Sequence, residues 1–325
     1  MSRGVAYDIS IEIDFALCFG KLPLSRPCDG GNDLIYMQRK FLPTDSRVIA
    51  GLSSAGIIGT FADSYQCAEF QNPKLECMSC LLVPKDSGVE FVSLNVSLHL
   101  LQQIQDARTA SPDLYDPDWF PELQGRRVKC LIILLPSFGR GLWAGAGRDP
   151  LDPGAGESED ISLLALAVCG GDRVSAASTI IYSNSRSRRR VRAQMAKLAQ
   201  CCGSGGGGGS RGARAGPSSS TGTPNPASPD DPPTPPVVRS NQIAFMFPCA
   251  GRGKNLFNQP DVETSLFREL FPTTPILGLF TLGELGLMYP DCQGEPEPPA
   301  AAGQARGCPN ISYSFSTSLA VITID

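Results

Sequence analysis

The sequence contains a single histidine, His99, among its 325 residues. Catalytic triads, cysteine–histidine dyads and multi-histidine metal sites would all have to use this one residue. His99 lies among the apolar residues Leu98, Leu101 and Ile104. A histidine in such a stretch is more often a satisfied surface or boundary residue than a catalytic base. The sequence therefore predicts a protein that is not an enzyme, with no metal site and no cofactor.

Long apolar runs and an excess of positive charge are also missing. The apolar run Cys130–Leu135 is far shorter than the roughly 20 residues that span a bilayer. With 28 Lys and Arg against 32 Asp and Glu, the net charge of -4 creates no general attraction to nucleic acid or anionic lipid. The polar–apolar alternation of Met1–Phe19 is unlike a secretory signal. We therefore expect cytoplasmic or nuclear localisation, or both, with no nucleic-acid and no membrane partner.

The 12 cysteines are scattered along the chain. Without a secretory signal, we expect reduced thiols and not a disulfide scaffold. Cys77 and Cys80 form one C-x-x-C pair, but zinc needs four ligands, and this spacing sends the two side chains to opposite faces of a strand. Ordinary strand cysteines are therefore the expected interpretation. Cys201 and Cys202, beside a glycine-rich stretch, are expected to be exposed.

Five arginines lie between positions 186 and 192, at the start of a predicted basic helix over Arg186–Gln200. Such a cluster is typical of nuclear-import signals and nucleic-acid patches. No aromatic residues are interleaved with the arginines to stack on bases. We therefore interpret the arginines as solvent-exposed residues at the start of a helix, and a nuclear-import signal is the alternative.

Three stretches, residues 144–160, 203–236 and 290–307, are rich in Gly and Pro. They hold too little apolar surface to offset an ordering entropy of about 1–2 kcal/mol per residue. The longest, 203–236, is predicted to be a disordered Gly/Pro/Ser-rich linker. It would divide the chain into an N-terminal half, 1–200, containing the 144–160 loop, and a C-terminal domain, 237–325, containing the 290–307 loop.

The remaining sequence alternates between strand and helix patterns. The predicted strands are Val5–Phe15, the apolar start of Val48–Gly59, Cys77–Val83, Val89–Val96, Val128–Leu135, Ser162–Val168, Ser178–Tyr182, Ile243–Phe247, Ile276–Phe280 and Leu319–Ile324. Ser162–Val168 and Ser178–Tyr182 are expected to pair with each other. Asp261–Leu270 is predicted to be an amphipathic helix with Asp261 as its N-cap. This mixture predicts an α/β fold of mixed sheets with helices.

The most informative segment is IAFMFPCAGRG, over Ile243–Gly253, in which an apolar strand runs into a glycine turn. Ligands of α/β proteins tend to bind beyond the carboxyl ends of strands, where glycines allow close backbone approach. Cys249, Gly251, Arg252 and Gly253 are therefore candidate ligand-binding residues for a carboxylate or other small anion. The alternative is a tight turn with a solvated arginine and a core-facing cysteine.

A second strand meets a glycine turn in GLFTLGELG, over Gly278–Gly286. Gly283 and Glu284 are candidate binding residues there, because a carboxylate at this tip could accept a ligand ammonium group or pair with Arg252. The two turns together would offer both charges that an amino acid needs. A surface turn with a solvated glutamate is the alternative.

These segments carry a family resemblance. IAFMFPCAGRG, DVETSLFRELFPTTPILGLFTLGELG and the terminal YSFSTSLAVITID resemble the C-terminal part of the FIST domain, found in F-box and intracellular signal transduction proteins. MQRKFLPTDSRVIAGLSSAGIIGTF resembles the N-terminal FIST half. The resemblance implies two FIST halves. It matches Cys249, Gly251, Arg252 and Gly253 to the family's Cys-x-Gly-Arg-Gly turn, and Gly283 and Glu284 to its Gly-Glu turn.

The resemblance also implies a function in recognition. F-box relatives are substrate receptors of cullin–RING ubiquitin ligases, so the implied partner is a protein to be ubiquitinated. No F-box is recognisable in this chain, and a ligase adaptor is an expected partner only if an F-box lies upstream. The alternative is a stand-alone sensory domain for signal transduction that binds a small amino-acid-like ligand.

Overall fold

The computed structural model describes residues 12–21, 47–53, 55–61, 64–72, 77–111, 116–134, 162–203, 241–282, 284–286, 288–290, 312–313 and 315–325. The predicted 144–160 loop lies outside the described residues. So do nearly all of the 203–236 linker and of the 290–307 loop, and the part of the Val5–Phe15 strand that precedes Glu12.

The described residues form strands and helices close to the predicted segments. The strands are β1 (Ile13–Lys21), β2 (Arg47–Ser53), β3 (Ile57–Thr60), β4 (Cys67–Phe70), β5 (Cys77–Pro84), β6 (Val89–Ser97), β7 (Val128–Leu134), β8 (Ser162–Gly170), β9 (Val174–Ile181), β10 (Gln242–Pro248), β11 (Ile276–Leu279), β12 (Glu284–Leu285), β13 (Ser312–Tyr313) and β14 (Thr317–Ile324). The α-helices are α1 (Leu98–Ala110), α2 (Arg188–Gly203), α3 (Lys254–Phe257) and α4 (Val262–Leu270), and short 3-10 helices cover Pro117–Trp119 and Pro121–Leu123. Mixed sheets with helices confirm the predicted α/β fold class.

The main sheet has six strands in the order β4-β3-β11-β10-β14-β9. β10 runs parallel to β11 and antiparallel to β14. Three of these strands, β3, β4 and β9, precede the 203–236 stretch in the sequence, and the other three follow it. The two predicted halves therefore share one hydrogen-bonded sheet, although a long stretch separates them along the chain.

Among the described residues, two three-stranded sheets have the orders β2-β1-β5 and β6-β8-β7, and β12 pairs with β13 in a two-stranded sheet. The expected pairing of the strand at Ser162–Val168 with the one at Ser178–Tyr182 is wrong. β8 pairs with β6 and β7, whereas β9 pairs with β14 at the edge of the main sheet. The physical reason is hydrogen bonding: residues 165–169 of β8 are buried away from water, and ladders with β6 and β7 on its two sides provide partners for their backbone groups.

The main sheet separates two apolar layers. Phe245 of β10 packs on one face, in a cluster that includes Leu166 of β8 and residues of all three larger sheets. The next residue, Met246, packs on the opposite face with Met195 of α2 and Phe267 of α4. Because side chains alternate along a strand, β10 contributes to both layers and is held between them.

The helices cover one face of the main sheet. α2 lies against α4, and its exposed arginines reach the other helix: Arg192 Nε lies 3.2 Å from Glu269 Oε2, and Arg188 Nη2 lies 3.7 Å from Glu269 Oε1. His99 is exposed on α1. Among the helices within the described ranges, none combines the length and apolar character that crossing a bilayer requires.

The end of α2 corrects two expectations about cysteine. Cys202, predicted to be exposed, is buried with 8% of its surface accessible. It belongs to the apolar cluster between α2 and the sheet, so the helix continues past the predicted end at Gln200 to bury it. Cys201 is disulfide-bonded, so the expectation of reduced thiols is wrong at this position.

Candidate functional site

The predicted turn over residues 249–253 lies beside Thr281, in the segment that follows β11, because β10 and β11 are parallel neighbours. The N–H of Ala250 donates to the carbonyl oxygen of Thr281 over 2.7 Å, and the N–H of Thr281 donates to the carbonyl of Pro248 over 2.8 Å. Parallel strands end at the same edge of a sheet. The fold therefore brings the turn over residues 249–253 next to the segment that leads to Glu284.

Glu284 begins β12, where it is paired with Tyr313 of β13. The side chain of Glu284 and the whole of Gly283 lie outside what the structure describes. Ligand binding by these two residues stays a prediction.

Arg252 points into the protein and not into solvent. Its side chain is 0% exposed, and its Nη2 atom lies 2.8 Å from Oε1 of Glu263, which is itself 1% exposed. The Nη1 group donates to the carbonyl oxygen of Phe315 over 2.9 Å and to that of Tyr182 over 3.3 Å. The hydroxyl of Thr317 also donates to Glu263. The alternative of a solvated arginine is therefore wrong, and the guanidinium neutralises a buried carboxylate of α4.

Gly253 ends the turn in a conformation that suits glycine. Its φ is 57° and its ψ is −133°, a combination strained for any residue with a Cβ atom. The carboxamide of Gln71 lies against it: Gln71 Oε1 accepts the N–H of Lys254 over 2.8 Å, and Gln71 Nε2 donates to the carbonyl of Arg252 over 3.4 Å. Gly253 thus allows the backbone angles with which the chain leaves the turn, and Gln71, just beyond β4, holds the neighbouring backbone by hydrogen bonds.

The helix that follows the turn has an unusual N-terminus. Asp261 occupies the predicted N-cap position, but it has left-handed backbone angles and makes no side-chain cap hydrogen bond. Its Oδ1 atom accepts the N–H of Glu69 over 2.6 Å instead. In exchange, Glu69 Oε1 accepts the helix N–H groups of Glu263 over 3.1 Å and Thr264 over 3.3 Å. β4 therefore supplies the carboxylate that caps α4.

Glu69 is a buried acid among other acids, with 8% of its surface accessible. Burial, and then the neighbouring carboxylates of Glu263 and Asp261, raise the pKa of Glu69 from its ordinary 4.5 to about 7. Its Oε2 atom is buried and has no hydrogen-bond partner among the described residues. Protonation of Glu69 therefore removes an unfavourable buried charge near neutral pH.

The raised pKa of Glu69 predicts how stability depends on pH. Between pH 4.5 and about 7, the native state keeps a proton that the unfolded chain has released. The free energy of unfolding should therefore fall as the pH rises through this window, by about 3 kcal/mol in total. Urea unfolding of Glu69→Gln, compared with the unsubstituted chain from pH 4 to 8, should show that the substitution removes this loss, so that the variant is more stable at pH 8.

The matched control for Glu69 is Glu122→Gln, which changes an exposed carboxylate. It should leave the pH dependence as it is. If Glu69→Gln keeps the full decline in stability between pH 4.5 and 7, Glu69 is ionised in the native state and its raised pKa is refuted.

Two large apolar side chains near the turn are exposed to solvent. Phe315 is 61% exposed and Leu282 is 79% exposed. Phe315 precedes Ser316, whose carbonyl accepts the N–H of Cys249, and its ring lies against Gly251. Leu282 directly follows the Thr281 partner of the turn. We call Leu282, Phe315 and the half-buried Cys249 the turn patch.

Several residues of this site lack a clear sequence signal. In the sequence, Glu263 is only an acid in the first turn of a predicted helix, which is a common position for acids, and nothing there indicates its pairing with Arg252. Glu69 carries no local signal, since its contacts with α4 span more than 190 residues. Phe315 lies in the terminal segment that carries the family resemblance, but an isolated phenylalanine predicts burial more than exposure.

Comparison with known proteins gives a short match. No protein-family model matches the chain. The chain is 41% identical over 51 residues to F-box only protein 22 of Pongo abelii, which covers 15% of this chain and 13% of that protein. It is 45% identical over 47 residues to F-box only protein 22 of Homo sapiens, covering 14% and 12%. The matched segment thus spans about an eighth of the length of these relatives, and the chain is similar to an F-box protein over that segment alone.

Proposed function

We propose that this chain is a non-catalytic recognition module, the substrate-binding region of an F-box-type ubiquitin-ligase receptor. In this proposal, the protein to be ubiquitinated docks on the turn patch. The observation that carries the proposal is the exposure of Leu282 and Phe315 on either side of a turn whose backbone is fixed from within. The similarity to F-box only protein 22 supports the ubiquitin-pathway context.

The charges at the turn favour a protein partner over a small anion. The guanidinium of Arg252 already pairs with Glu263 and with two backbone carbonyls inside the protein. The large apolar side chains of Leu282 and Phe315 are exposed beside it, and Lys254, just after the turn, is an exposed cation. Exposed apolar and aromatic side chains form the energetic centre of many protein–protein interfaces, whereas a small carboxylate would depend on Lys254 and not on the buried Arg252.

The rigidity of the turn also favours recognition. Hydrogen bonds with Thr281, Ser316 and Gln71 hold the turn, and the buried ion pair anchors it to α4. A surface that is ordered before binding loses little conformational entropy when a partner docks.

A site-specific photo-crosslinker tests the proposal. A photoreactive amino acid at Leu282 should capture a cellular protein that the same amino acid at Gln102, an exposed position on α1, does not capture. The double substitution Leu282→Ser/Phe315→Ser should abolish binding of that protein to the otherwise native chain. It should also lengthen the half-life of that protein in cells, whereas Gln102→Ser should change neither.

Two results would count against the receptor proposal. One is equal capture from positions 282 and 102. The other is a captured protein whose half-life does not respond to the double substitution, because a ligase receptor controls the turnover of what it binds. A melting temperature that rises with one amino acid from a metabolite panel, together with either result, would instead support the small-ligand alternative.

A further inference from the structure

Two cysteines face each other across the small N-terminal sheet. β1 and β5 are antiparallel, and their register places Cys18 directly opposite Cys80. The two Sγ atoms lie 3.0 Å apart. Directly opposed residues of an antiparallel pair have Cα atoms about 4.5 or 5.5 Å apart, and both values fall within the range of about 4.4–6.8 Å that disulfides require.

The two thiols differ in their access to solvent. Cys18 lies on the central strand of its sheet and is 5% exposed, whereas Cys80 lies on the edge strand and is exposed. The hydrogen bond between the two thiols lowers the pKa of Cys80 below its ordinary value. The same hydrogen bond, together with burial, raises the pKa of Cys18. The reactive thiolate is therefore the accessible one.

We propose that Cys18 and Cys80 form a redox-active dithiol site, which a small-molecule disulfide of the glutathione type converts into a cross-strand disulfide. This site is distinct from the turn patch and does not depend on the proposed function. Its components are one accessible nucleophile and one buried resolving thiol, already within about 1 Å of bonding distance.

The reaction proceeds by two thiol–disulfide exchanges. The Cys80 thiolate attacks one sulfur of the small disulfide, an S–S bond forms on Cys80, and the first small thiolate leaves. Cys18 then loses its proton to that leaving thiolate and attacks Cys80 Sγ. The Cys18–Cys80 bond forms as the second small thiolate departs. Two protein thiols are oxidised by two electrons, and one small disulfide is reduced to two thiols.

The cross-link would join two strands of one sheet and close a segment that contains strands of two sheets. The segment between Cys18 and Cys80 contains β2, β3 and β4, of which β3 and β4 belong to the main sheet. Closing this segment restricts the unfolded chain more than the native one, in which the two strands are already paired. Oxidation should therefore raise the melting temperature.

Mass-spectrometric mapping tests the proposal. The full chain, reduced and then incubated with oxidised glutathione, is quenched with N-ethylmaleimide, digested and mapped. We expect a disulfide-linked peptide pair containing Cys18 and Cys80. In Cys18→Ser, glutathione should remain attached to Cys80, and in Cys80→Ser, Cys18 should remain a thiol. Cys77→Ser, which changes another cysteine of the same strand, should leave the link intact.

Three outcomes would overturn the proposal. Persistent glutathionylation of Cys80 in the unsubstituted chain would show that Cys18 does not resolve the mixed disulfide. Alkylation of both positions as thiols would show that the pair does not react. A link that forms but lowers the melting temperature relative to Cys80→Ser under the same treatment would show that the strands are not arranged to accept it.

Discussion

Replacing Arg252 with methionine should lower the free energy of unfolding by about 3 to 5 kcal/mol, because the substitution leaves the carboxylate of Glu263 buried without its countercharge. Methionine retains most of the apolar stem, so the loss would come mainly from the charge. The measurement is urea unfolding followed by circular dichroism at neutral pH.

Two control variants separate the stability lost through the unpaired charge from the stability lost through the change in side-chain volume. The double substitution Arg252→Met/Glu263→Leu removes both charges and should recover much of the stability that the single substitution loses. Arg192→Met breaks the exposed ion pair with Glu269 between α2 and α4, and it should change the free energy of unfolding only slightly.

The result would also bear on ligand binding. If Arg252→Met proves as stable as the unsubstituted chain but loses affinity for a carboxylate, the buried ion pair is unimportant and the predicted binding role of Arg252 gains support. If stability falls as expected, a substitution of Arg252 cannot serve as a test of ligand binding, because unfolding and lost affinity would be confounded.

Gly278→Ala should also lower the free energy of unfolding strongly, by more than about 4 kcal/mol. The added methyl group would push apart β10 and β11, the two strands that lead to the predicted turns. Gly278 is paired with Met246 across the parallel β10–β11 ladder. A Cβ atom there would overlap the backbone carbonyl oxygen of Met246 and lie 2.9 Å from its carbonyl carbon. A backbone atom in a central strand cannot move aside without breaking the ladder.

Gly171→Ala is the matched control for Gly278→Ala, since nothing lies within 4 Å of the added Cβ atom and the change should be nearly neutral. Urea unfolding of both variants makes the comparison. Equal stability of the two would show that β10 and β11 do not approach as closely as their register implies.

The individual strands of this protein were predictable because their signal is local. Alternation and apolar runs placed β5, β6 and β10 to within a few residues, since a strand must bury one or both faces wherever it lies. The pairing of strands was less predictable. β8 and β9 are neighbours in sequence and lie in different sheets.

At the site, the turn after β10 and its position at the sheet edge followed from the sequence, but the buried direction of the Arg252 side chain did not. The motif showed a cation after a strand and could not show the direction of its side chain. That direction depends on Glu263, which follows closely in sequence, and on Phe315 and Tyr182, which lie far from it in sequence.

The sequence by itself determined the α/β class, the strand-to-turn segments and the short likeness to F-box only protein 22, because periodicity, glycine placement and identity are properties of neighbouring residues. The tertiary structure alone decided that both halves share one sheet, that Glu69 caps a helix far along the chain, and that Cys18 faces Cys80. The physical reason is that a buried charge, a carboxylate or a thiol takes its partner from whatever the packed chain places beside it, whatever their separation in sequence.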